Sequence, residues 1–130
     1  MTTTSFQPGF RKPSWLDVAI LLSTAIAVPV LCLWSKELAL LLAYVVLHFF
    51  LFCNVIRLAT NLELAWATVA VLLAGLSFGF NVLSGTTALT ISLATTVVVT
   101  AIEFREPSYH GIYWEKINPG LKQWWDAHKG

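Results

Sequence analysis

LALLLAYVVLHFFLFCNVIRL, residues 38–58, is the stretch that decides the class of this protein. Apart from His48, Asn54 and Arg57 it holds only aliphatic, aromatic and thiol side chains. About 20 such residues in a helix cross the hydrocarbon core of a bilayer. Working outward, three more stretches of the same character flank it, at about 15–34, 64–83 and 86–102. The chain therefore reads as an all-α integral membrane protein of four transmembrane helices, arranged as two helical hairpins. An arm, residues 1–14, precedes the bundle, and an aromatic and basic tail, residues 103–130, follows it.

Composition supports that class. Hydrophobic residues make up 57% of the 130 and charged residues 12%, against about a quarter charged in a soluble domain. So short a chain cannot bury that much apolar surface in a core of its own. A soluble bundle would also need polar residues on the outward half of every turn, and these spans lack them. A net charge of +1 with no concentrated basic face gives no reason to expect nucleic acid.

The positive charges orient the spans. Arg11, Lys12, Arg57, Arg105, Lys116, Lys122 and Lys129 fall on one face and Lys36 alone on the other. Lys and Arg accumulate on the cytoplasmic side, so both termini are expected inside, most simply in a bacterial inner membrane. Trp15 and Trp34 bracket the first span as interfacial anchors. That span is long for a signal h-region and has no A-x-A-like triplet near its end, so it reads as retained. Pro29 removes a helical donor in its outer half, where a kink is expected. Ser35–Glu37 and Asn81–Gly85 read as the outer turns, and 59–63 as the inner connection. In the tail, Tyr109, Tyr113, Trp114, Trp124 and Trp125 are expected at the membrane surface or on a partner.

Four groups of residues carry the functional possibilities. His48 lies near the bilayer midplane, where an ionisable side chain is a functional candidate by default. It reads as a helix-to-helix hydrogen bond, a cofactor ligand or a proton relay. Haem held by two histidines would need a second chain, because His110 and His128 both lie in the tail. Asp17, Asn54, Arg57, Glu63, Glu103 and Arg105 share the inner boundary, where an aligning polar network or a charged vestibule is expected. Gly75 and Gly79 form a small-xxx-small pattern suited to close helix approach, within the chain or between copies. Threonines scattered around the fourth span fit bonds back to their own helix better than a pore lining.

Cys32 and Cys53 fall at opposite depths, too far apart for a disulfide. There is no G-x-x-x-x-G-K-S/T, G-x-G-x-x-G, H-E-x-x-H, C-x-x-C or G-x-S-x-G. No motif requires a cofactor or metal, and bound lipid is the expected companion. The favoured expectation is a non-catalytic structural or accessory subunit of a homo-oligomeric or larger membrane complex. An oligomeric channel or transporter, and a haem- or quinone-binding redox subunit using His48, are the alternatives.

Overall fold

The computed structural model describes residues 5–128, so Lys129 lies outside them. It is an all-α membrane protein with four helices long and apolar enough to cross a bilayer. Helix α1 (Trp15–Cys32) starts at Ser14 through a capping box. The Ser14 hydroxyl accepts from the Asp17 N–H, and Asp17 accepts from the Ser14 N–H. Pro29 lies inside α1, which ends in a turn at Leu33 and Trp34. Ser35 then caps α2 (Lys36–Phe50) by accepting from the Leu38 N–H.

Helix α2 continues as a π-helical turn, Leu51–Ile56, which ends at Arg57 in the left-handed region (φ 57°). Helix α3 (Thr60–Ala74) likewise loosens into a π turn, Gly75–Gly79. Ser84 caps α4 (Gly85–Arg105). Two short helices, α5 (Trp114–Ile117) and α6 (Leu121–His128), close the chain.

Every span end but the first is shifted by one to four residues from the sequence expectation, and two of the shifts have a plain cause. The third span begins at Thr60 rather than 64, because Asn61 and Glu63 are welcome in the first turn of a helix, where free N–H groups and the dipole favour acceptors. The fourth runs to Arg105 rather than 102. It stops at Glu106, which takes an extended conformation as residues before proline do.

α1 packs along α2, and α3 along α4, giving two hairpins. Nothing in α1 is buried, so it is a peripheral helix whose outer side, including Leu16, Ile20, Leu22 and Ile26, faces lipid. The hairpins meet through large side chains. Phe52 and Trp66, each 1% exposed, form one core with Ile56, Leu58, Val99 and Tyr109. That core lies towards the face holding both termini, which is where the chain folds back on itself.

Candidate functional site

Within the bundle, Tyr44 and His48 of α2 face Trp66 of α3 and Ser92 and Thr96 of α4. The His48 ring stacks on the Trp66 indole, with centroids 4.8 Å apart and an interplanar angle of 10°. Its Nδ1 lies 2.9 Å from the Tyr44 carbonyl, which accepts when that nitrogen carries the proton. The Tyr44 hydroxyl pairs with the Ser92 hydroxyl at 2.7 Å. The Trp66 N–H donates to Thr96 Oγ1, whose own hydroxyl donates to the Ser92 carbonyl. These polar groups therefore satisfy one another across three helices. Each such bond in a membrane contributes about 0.6–2 kcal/mol, with van der Waals packing supplying the rest.

At the terminal face the end of α2 organises the arm and the tail. The carbonyls of a helix's last turn have no partners of their own. Here the π turn directs Phe52's carbonyl to the N–H groups of Arg57 and Leu58. The Asn54 carbonyl then accepts from the Arg11 N–H at 2.8 Å, and the Val55 carbonyl from the Ile112 N–H at 3.0 Å. The arm and tail also bind each other, Gly9 N–H to His110 carbonyl at 2.7 Å. Arg57 donates to the Gln7 carbonyl, and burial lowers its affinity for its proton below the usual guanidinium range. Phe6 packs edge-on against Trp114 and Trp125.

Gly111 makes this weld possible. A Cβ on it would lie 2.3 Å from the Ile56 carbonyl oxygen and 2.7 Å from the Tyr109 hydroxyl. Tyr109 is fully buried, so it is an internal strut and not a surface anchor. Its ring meets Phe104 edge-on and its hydroxyl donates to the Ile112 carbonyl at 2.8 Å. Burial, and next the charge of Glu103, push the phenol up to about 12. Asn118 ties the tail down by donating to the carbonyls of Pro107 and Tyr109.

The six polar residues expected at this boundary do not join in one network. Among the described residues no hydrogen bond or ion pair links any two of them; each serves a separate junction. Asp17 caps α1. Glu63 accepts from the Cys53 thiol at 3.4 Å. Glu103, 3% exposed, accepts from the Ala59 N–H at 3.2 Å and so pins the end of α4 to the start of α3. Arg105 stands exposed in the last turn of α4, where the dipole favours a cation. Asn54 is 1% exposed, donates weakly to the Phe50 carbonyl at 3.4 Å, and leaves its side-chain oxygen without a partner.

Of the remaining positions, Trp15, Trp34 and Tyr113 are exposed and Trp114, Trp124 and Trp125 half-buried. A Cβ on Gly75 or Gly79 would touch nothing within 4 Å, although α4 passes beside this turn and Ser77 within it is buried. Cys32 and Cys53 are free thiols. Among the described residues no three His, Cys, Asp or Glu side chains gather as a metal site.

Trp66, Ser92 and Gly111 are the central residues that sequence reasoning missed. In the expected span 64–83 Trp66 sits at the interfacial end, and the helix observed from Thr60 carries it inward, where its N–H demands a partner. No family model matches this chain, and no curated protein or solved structure matches it.

Proposed function

We propose that this chain is a small non-catalytic membrane subunit that assembles with copies of itself through the glycine face of its third span. The observation that carries the reading is the pair Gly75 and Gly79, on a π-helical turn where a Cβ on either would meet nothing within 4 Å. Small residues in a membrane helix let a second backbone approach closely, and dispersion then rewards the contact. Exposed Val71, Leu72, Leu76 and Phe78 surround the glycines and would pack in the same interface. Satisfied polar groups at mid-membrane also support a structural role over a conducting path through one chain.

The excess of Lys and Arg at the terminal face supports a cytoplasmic orientation for both termini, as in a bacterial inner membrane. The welded arm and tail would then present the charged and aromatic surface to the cytoplasm. Two variants test the assembly reading. Gly75→Leu and Gly79→Leu fill the open face without touching the chain's own packing. Each should dissociate the particle in mild detergent while the helical spectrum is preserved; an unchanged particle mass in both would remove the glycine face from the account.

A further inference from the structure

The polar cluster that joins α2, α3 and α4 leaves one atom over, the Nε2 nitrogen of His48. His48 is the thirteenth of the 21 residues in the span Lys36–Ile56, close to the middle of the bilayer. The uncharged imidazole, the form that hydrocarbon favours, carries one proton. A carbonyl can only accept, so the 2.9 Å contact with the Tyr44 carbonyl places that proton on Nδ1. Nε2 is left as a bare acceptor.

None of its neighbours serves it. The hydroxyls of Tyr44 and Ser92 pair with each other, and the Trp66 N–H goes to Thr96. Nor is Nε2 enclosed: among the described residues the Asn54 oxygen is the one side-chain polar atom both buried and unpaired. The His48 side chain as a whole is half-buried. The backbones of α2 and α3 stay apart along most of their length and meet through rings. Ala67 and Ala70 of α3 lie against the same core with little bulk, which leaves access from lipid between the two helices.

The position lacks a donor that can be delivered at mid-membrane depth, where neither water nor a phospholipid headgroup is at hand. Three rings stand around the imidazole, with centroids at 4.1 Å for Tyr44, 4.8 Å for Trp66 and 5.7 Å for Phe52. Aromatic surface with a single fixed acceptor suits a flat apolar molecule carrying an O–H group. A membrane-soluble quinol is such a molecule; its oxidised quinone offers only acceptors. A metal would also take a bare imidazole, yet among the described residues no three ligand-type side chains gather there.

We infer that His48 Nε2 accepts the hydroxyl of a membrane-soluble quinol lodged between α2 and α3 against Tyr44, Trp66 and Phe52. This is binding alone, with no electron transferred, and it does not depend on whether the chain self-associates. The probes are a decyl benzoquinol, its quinone, its dimethyl ether and decanol, each titrated into the full chain in mild detergent. Equilibrium dialysis reads affinity. Nitrogen NMR of isotope-labelled histidine reads the ring, the His48 signal being the one lost in His48→Phe.

The quinol should move the Nε2 signal and bind about 3- to 30-fold more tightly than quinone or ether, the worth of one hydrogen bond in a bilayer. His48→Phe keeps a ring against Trp66 and should bring that preference to within about twofold. Equal affinity of the unaltered chain for the quinol and its ether would overturn the inference, and needs no variant to do so. So would an Nε2 signal that the quinol leaves unmoved, or a preference that survives His48→Phe. Decanol binding as tightly as the quinol would overturn the aromatic ring as the group selected, and with it the quinol as occupant.

Discussion

Gly111→Ala places a methyl carbon 2.3 Å from the Ile56 carbonyl oxygen, where real contacts begin at about 3.0 Å. The tail must retreat by the difference, about 0.7 Å, and cannot do so by moving a flexible side chain, because the obstacle is backbone. The same retreat stretches the Ile112-to-Val55 bond from 3.0 Å to about 3.7 Å, past hydrogen-bonding range. Overpacking of this kind costs about 1–3 kcal/mol and the lost bond about 1 kcal/mol more. The tail should therefore lose about 2–4 kcal/mol of docking free energy, while α1, α3 and α4, which make none of these contacts, stay folded. Hydrogen exchange of the protein in lipid nanodiscs reads this directly. Protection across residues 109–117 should fall about 30- to 700-fold, with exchange in α1 and α4 unchanged. Unaltered protection in the tail would refute the weld.

Three further outcomes follow from the same contacts. Trp66→Phe removes the indole donor to Thr96 and should cost about 1 kcal/mol, whereas Trp66→Ala empties the middle of the core and should cost about 3–5 kcal/mol. Unfolding in mixed micelles measures both, and equal costs would contradict the geometry. On ultraviolet titration Tyr109 should ionise near pH 12. Folding holds its phenol neutral. Tail docking is therefore intact below the ordinary tyrosine pKa near 10, and weakens as pH rises from there to about 12. A phenolate signal complete by pH 11 would contradict the burial. His48→Phe keeps an aromatic ring against Trp66 and loses only a bond within its own helix, so stability should change by about 1 kcal/mol or less. A Soret band in the purified parent protein would instead give His48 a ligand's role.

The number of spans and their pairing were legible because twenty-residue apolar runs and clustered cations leave few alternatives. Helix ends were less so. Asn61 and Glu63 look like loop residues by polarity, yet the free N–H groups of a first turn make them good helix starters. His48 stood out in the sequence, but periodicity does not say which helix faces which, so its stacking on Trp66 was invisible. The tail was the largest surprise. Its tryptophans suggested a membrane surface, while the structure folds it under the bundle through Gly111, whose importance exists only once the Ile56 carbonyl is beside it. By sequence Asn54 and Arg57 belong to one expected inner-boundary network. The π turn sends Arg57 into the left-handed region and out to Gln7, leaving the Asn54 oxygen alone.

The particle's mass and subunit composition in mild detergent test the central claim most directly. The account predicts a homo-oligomer that Gly79→Leu converts to monomer. A lone monomer in the parent protein, with no co-purifying subunit, would contradict it.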